Sequence, residues 1–416
     1  MLIFFINGFS ASYTSHNISN LAYLLALGID VGEKSSIKVS AQFSDISPSS
    51  GVGSSNENNE VILVSAVADS IFNALNLLNT YIGKEINISH CNVVVFSEEI
   101  GREGISSEIY SLINNEQIRP SVNVIISTCK AYEYLNNVKP NFEKLTVQYY
   151  DTFSIADKFT GYFADSSIGY FFNELSSKYC GSVAILGGLN MTSRNKNSDS
   201  TESSDSDESS EIKDDSTEEN IIINPDDLVA GTSSVQGKRG TENLGLAVFD
   251  NDKMCGTLTA TESICHLLLI NSLKSCVVLI DNPLSPDRQS SISLIPEKSS
   301  NVNVSIENDI PIISVELCLS ANILSLESNV DYSSQEVLDS YSSAAKEYLE
   351  NEFNNYFNKM SKEYSIDIDH FSTRALSHFL TIQDWENFNW NEKFKDAKFN
   401  VSVNINSISP MLLTRT

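Results

Sequence analysis

The sequence predicts a mixed α/β protein of two or more domains. Strand-like and helix-like periodicities alternate through residues 61–128, the mark of helices layered on a mixed sheet. A chain of 416 residues also exceeds one ordinary core, and a charged tract without aromatics divides it. Hydrophobic residues make up 41% of the chain, with 20 Phe and 16 Tyr, enough to fill more than one core.

The elements follow in order. Residues 2–6 are apolar and small residues follow around Ser10-Ala11-Ser12. This matches the tail of a signal peptide that lacks its basic start, and it is too short to span a bilayer. Two readings stand: translation starts upstream, or Met1 begins a chain with a vestigial signal. Residues 1–12 are thus assigned to a remnant N-terminal segment and 13–190 to a first folded region. No other segment approaches ~20 consecutive apolar residues, so nothing downstream is expected to span a membrane.

"LAYLLALGID" is a continuous apolar run that reaches a turn at Asp30-Val31-Gly32-Glu33. Ile37, Val39, Ala41 and Phe43 then alternate with polar partners, which predicts a hairpin. Residues 47–60 read as a polar loop. Its Gly51-Val52-Gly53 lacks the third glycine of a dinucleotide turn and opens no helix. A short strand at 61–64 precedes a helix over 69–82, with Ile71, Leu75, Leu78 and Ile82 on one stripe and Gly83 ending it. Strands follow at 92–97 and 121–128, with a helix between them started by Ser106 or Ser107. A further helix over 166–179 and an apolar strand at 181–190 close this region.

Residues 191–236 form a Ser/Asp/Glu linker or insertion that cannot bury enough surface to order itself. Within 198–219 its acids are Asp199, Glu202, Asp205, Asp207, Glu208, Glu211, Asp214, Asp215, Glu218 and Glu219, against Lys213. They lack the spacing and central glycine of a calcium loop. The stretch "LGLAVFDNDKMCGTL", Leu244 to Leu258, has a glycine near each end and resembles a phosphate loop at first sight. A phosphate cradle needs free amides at a helix start. Here two apolar arms flank an Asp/Asn tip, which predicts a β-hairpin. A helix then a strand follow over 265–283, with strands at 301–308 and 311–328. The longest helix spans about 334–364 and packs on a sheet through Leu338, Tyr341, Ala345, Leu349, Phe353, Tyr356, Met360 and Tyr364. Phe399, Val401, Val403 and Ile405 form a final strand. The second folded region is 237–416, divisible near residue 300 into 237–300 and 301–416.

The formal net charge is -27, from 27 Lys+Arg against 54 Asp+Glu. It excludes nucleic acid as a partner and gives no electrostatic attraction to anionic lipid. Seven cysteines include no C-x-x-C pair, so most read as small buried apolar residues. The histidines are His16, His90, His266, His370 and His378, and no pair is spaced to clamp a metal from one helix. His266, in an apolar run, reads as a satisfied core or boundary residue. Asp367 and Asp369 in "SIDIDHFS" share a face if extended, the minimum for paired-carboxylate chemistry, but a helix-terminating turn fits better. No catalytic residue, metal site or cofactor is assigned, and no ligand-binding residue can be named. An enzyme reading requires two of His90, Asp367, Asp369 and His370 within hydrogen-bond reach in a concave site.

Five segments, taken in order, resemble the Ger(x)C family, the C subunits of nutrient germinant receptors of spore-forming bacteria. They are "NLAYLLALGID"; "AVADSIFNALNLLNTYIGKEINISHCNVVVFSEEIGREGI", with His90; "LINNEQIRPSVNVIIST", with Glu116 and Arg119; "GLAVFDNDKMCGTL"; and "NWNEKFKDAKFNVSVNI", with Trp390, Phe394 and Asp396. The resemblance implies three mixed-sheet-plus-helix domains of α+β or α/β class in a non-enzymatic subunit. It also implies a place at the outer face of the spore inner membrane beside the integral-membrane A and B subunits. The complex responds to nutrients such as amino acids or sugars, and this subunit would meet the germinant indirectly. The family's lipid-bearing cysteine falls near Ser12 here, and a serine forms no thioether, so no lipidation site is assigned. The alternative reading is a secreted or membrane-peripheral ligand-binding protein that has diverged from the receptor.

Overall fold

The fold was analysed on a computed structural model, which describes residues 20–34, 36–44, 61–139, 146–191, 228–235, 237–328 and 330–410. The remnant N-terminal segment with Ser12 and His16, the loop around Gly51-Val52-Gly53 and nearly all of the acidic tract lie outside these residues.

The described strands fall into two mixed sheets. The first contains β1 (Leu21–Val31), β2 (Ile37–Ser44), β3 (Val61–Ala68), β4 (Glu85–Asn87), β5 (Val93–Ser97), β6 (Asn123–Ser127), β7 (Ser182–Leu189), β8 (Thr241–Asp250) and β9 (Lys253–Leu258). Their spatial order is β3-β2-β1-β5-β6-β7-β8-β9, with β4 beside β1. β1, β5, β6 and β7 run parallel, and antiparallel hairpins flank them on both sides. The expected first hairpin is present as β1–β2, closed by Gly32 N–H donating to the Ser36 carbonyl at 2.8 Å.

Helices α1 (Ile71–Ile82), α2 (Glu98–Glu103), α3 (Ser106–Ile113) and α4 (Ala131–Asn137) follow strands of this sheet, and so do α5 (Thr146–Thr152), α6 (Asp157–Thr160) and α7 (Ile168–Leu175). Ser70 caps α1, and left-handed Gly83 ends it, because a helix stops cheaply at a residue without Cβ. The parallel strands are buried on both faces, which explains why β5 and β6 read as apolar runs without alternation. α3 departs from expectation at its start. Ile105 is its N-cap and no side chain caps it; Ser106 Oγ instead donates to Asp252 Oδ2 at 2.7 Å.

Past β9 comes α8 (Ala260–Leu269), then β10 (Cys276–Asp281), β11 (Gln289–Pro296), β12 (Asn301–Glu307), β13 (Ile310–Ile323), the long α9 (Gln335–Asn358), α10 (Phe371–Ala375), α11 (Ile382–Phe388), α12 (Trp390–Phe394) and β14 (Lys398–Ser409). β13 is the axis of the second sheet. β14 pairs in parallel along one edge, while β12 and β11 pair end to end along the other. Ile313, Val315, Leu317 and Leu319 of β13 are buried, as their alternation requires. α9 lies across this sheet through Tyr341, Ala345, Leu349, Phe353 and Tyr356, and Phe357 stacks on Phe399 of β14 at 4.4 Å. The helix is α-helical only to Asn358; Lys359–Tyr364 is a π turn, which shifts the phase of the last side chains.

The ladders cross the positions at which the sequence divides. β8 and β9 follow the acidic tract yet complete the first sheet, and β11 through β14 span residue 300. One buried cluster runs unbroken from one face of the first sheet (Val95, Ile125, Val248) through α8 to the second sheet and α9. The other face of the first sheet forms a separate core under α1, α3 and α7. The cysteines depart from expectation: Cys91, Cys265 and Cys276 are buried, but the other four are partly or fully exposed.

Asp30 has a role its place in an apolar run does not announce. It is buried in β1, and its carboxylate accepts Ala131 N–H at 2.7 Å and Tyr132 N–H at 3.0 Å. It thereby holds the start of α4, whose free amides and dipole favour an anion. Asp30→Ala leaves those amides unanswered and should lower unfolding free energy by about 1–3 kcal/mol. Asp30→Asn, which keeps one acceptor, should lose less. Urea denaturation reads both, and an Ala variant as stable as the parent contradicts this role.

Candidate functional site

The Leu244–Leu258 stretch folds as the hairpin β8–β9, with register from Leu246↔Leu258 to Asp250↔Lys253 and left-handed Asn251 at its tip. β8 also pairs with β7, so the amides of the apparent glycine loop are engaged in ladders. The tip docks on the first region: Ile105 N–H donates to the Asp252 carbonyl at 3.0 Å, beside the Ser106–Asp252 bond. Its far arm docks on the second. Gly256 lies against the Tyr364 ring, where any Cβ would overlap the phenol. Tyr364 OH donates to the Thr257 carbonyl at 2.9 Å and accepts Thr257 N–H at 3.1 Å. The π turn delivers Tyr364 to this position.

Beyond Tyr364 the chain turns at left-handed Ser365 and enters a buried polar loop, Ile366 to Phe371. The helix-terminating turn expected of this segment is present at Ser365, closed by Ile366 N–H donating to the Met360 carbonyl at 3.1 Å, and Asp367 and Asp369 lie just past it rather than on a strand face. Asp367 caps the next helix. Its carboxylate accepts backbone N–H groups of Asp369 (3.2 Å), Phe371 (3.1 Å) and Ser372 (2.6 Å). Asp369 instead bridges two helices: Tyr356 OH of α9 donates to Oδ2 at 2.7 Å, and His266 Nδ1 of α8 lies 2.8 Å from Oδ1. All three side chains are buried, and His266 Nε2 has no partner among the described residues. A proton on Nδ1 lets the ring donate to Asp369 Oδ1. The reading of His266 as a core histidine holds, with half of its hydrogen-bonding capacity used.

This junction joins both regions. Gly181 N–H, just before β7, donates to the Asp367 carbonyl at 2.9 Å, and a Cβ on Gly181 would strike Ile366. Lys359 meets the Glu262 carboxylate at 2.7 Å, and Glu262 completes a capping box with Thr259 at the start of α8.

The residues named for an enzyme do not converge. His90 is exposed and packs edge-on to Tyr23 at 4.9 Å, far along the chain from the Asp367 loop. His370, left-handed at φ 59°, faces Glu174 at 3.9 Å rather than either aspartate. His378 Nε2 donates to the Val304 carbonyl at 2.6 Å. Shallow cavities of about 230 and 220 Å³ lie elsewhere, beside Leu267 and Lys298 and beside Phe72 and Gln117. Arg119 donates to the Asn92 side chain, Trp390 and Phe394 are buried among aromatics, and Glu116 and Asp396 are exposed. Sequence reasoning missed Tyr356, Glu174 and Cys180. The first lay hidden in an apolar stripe, and the others lie about 190 residues from His370.

Two outcomes follow. Asp369→Ala strands both His266 and Tyr356 and should lower unfolding free energy by about 3 kcal/mol, read by urea denaturation. Burial, then neighbouring Asp369, raises the Asp367 carboxyl from 3.8 to about 6, against the hydrogen bonds that pull it down. The folded state therefore holds this proton more tightly than the unfolded chain. Stability from this group is present below about pH 4 and falls as pH rises to about 6. The stability gap between Asp367→Asn and the parent should shift toward the variant over that window; a flat gap contradicts it.

The comparisons agree along the chain. The family model for the spore germination protein N-terminal domain matches residues 14–187, and that for the spore germination B3/GerAC-like C-terminal region matches residues 244–410. No curated protein matches. A solved structure, the crystal structure of the GerBC protein, superposes with TM-score 0.51 at 14% identity, covering 91% of this chain and 96% of that one. At that identity the likeness speaks for the fold. Two matched regions in order, spanning most of the chain, place this protein in the Ger(x)C family of germinant receptor C subunits.

Proposed function

We propose that the protein is a non-enzymatic C subunit with an assembly and signalling role, held at the outer face of the spore inner membrane by the A and B subunits. The observation that carries this is where the family-bearing segments lie. The hairpin β8–β9, the Gly28–Asp30 segment and the Trp390–Phe394 segment are structural joints: the hairpin is paired in the sheet, Asp30 holds the start of α4, and Trp390 and Phe394 are buried among aromatics. What such residues preserve is a shape for other proteins to hold.

No helix of the described residues is long and apolar enough to cross a membrane. A chain of net charge -27 gains nothing from anionic headgroups, and contacts with the A and B subunits would hold it there, aided by the N-terminal segment if that is uncleaved. The germinant acts on this subunit indirectly, through its partners.

Membrane fractionation of spores tests the proposal. The protein should sediment with inner membrane when the A and B subunits are present and move to the soluble fraction when they are deleted. A fully soluble pool with both subunits present contradicts it.

A further inference from the structure

We propose that Glu174, Cys180 and His370 form a zinc-type metal site that clips the first region to the Asp367 loop. One donor atom from each residue lies within 4.8 Å of the others. Glu174 stands on the last turn of α7, and Cys180 lies in the connection to β7. His370 comes from the far side of the junction, in the connection between the π turn and α10.

The donor set selects the ion. A thiolate, an imidazole and a carboxylate together suit zinc, whereas calcium and magnesium favour oxygen alone. Tetrahedral bonds of ~2.0–2.3 Å put neighbouring donors roughly 3.5 Å apart, so the three must close by about 1 Å. The His370 side chain is one-third exposed and free to move toward the other two, while Glu174 is 13% exposed. Three protein ligands leave a fourth position for water or for Ser372 Oγ, which already lies 3.0 Å from Cys180 Sγ.

The surroundings support the assignment. Thiolate, carboxylate and a divalent cation sum to zero charge, and buried Asp367 adds negative potential beside them. His370 has a left-handed backbone that a glycine would hold without strain.

Full-length protein stripped with chelator and titrated with Co²⁺ tests the site. One equivalent should bind with thiolate-to-cobalt charge-transfer absorption, displaced by Zn²⁺. Cys180→Ser should abolish that absorption, and His370→Gly should weaken binding at least tenfold. His370→Gly suits the left-handed backbone, so it should fold, and Zn²⁺ should raise the melting temperature of the parent but not of this variant. No saturable uptake overturns the proposal. So does the same spectrum in Cys180→Ser, which would assign it to another of the seven cysteines.

Discussion

The helix Ala260–Leu269 is buried on every side, and it carries one histidine into that interior. A polar ring sealed from water requires a partner, and the chain supplies Asp369 from a loop 103 residues later. Asp369 is in turn held by Tyr356 of the long helix, so three distant elements meet at one carboxylate. An isolated buried carboxylate would be far costlier than a bridged one, which fixes the loop, the helix and the sheet to a single relative placement. The rest of the junction follows from it: the π turn that delivers Tyr364, the cap by Asp367 and the contact of Gly181.

This constraint changes what the most recognisable segment means. Glycines at both ends of an apolar run look like ligand chemistry, yet here they serve close approach. The hairpin touches the start of α3 with its tip and Tyr364 with its arm, tying the N-terminal and C-terminal matched regions together. The metal clip proposed at Glu174, Cys180 and His370 would tighten the same joint from its exposed side.

Much of the fold was legible because burial leaves a period. The alternation of β13, the stripe of the long helix and both hairpins could be read from apolar spacing, since each element has one buried face. Long-range pairing was not legible. The parallel order β1-β5-β6-β7 leaves no local signature, and β8 joining the first sheet across the acidic tract contradicts what composition suggests. Asp30 reads as a turn residue because its helix partner lies 101 residues away. His266 was recognisable as a core residue, but its partner was not, since spacing in sequence says nothing of two helices and a loop meeting.

The central claim is that the two matched regions form one interlocked body. Hydrogen exchange read by mass spectrometry across a urea series tests it directly. Peptides of β5 and β6 and peptides of β13 and β14 should lose protection at the same urea concentration. Loss from the second sheet at a concentration that leaves the first fully protected would show two independent units and contradict the account.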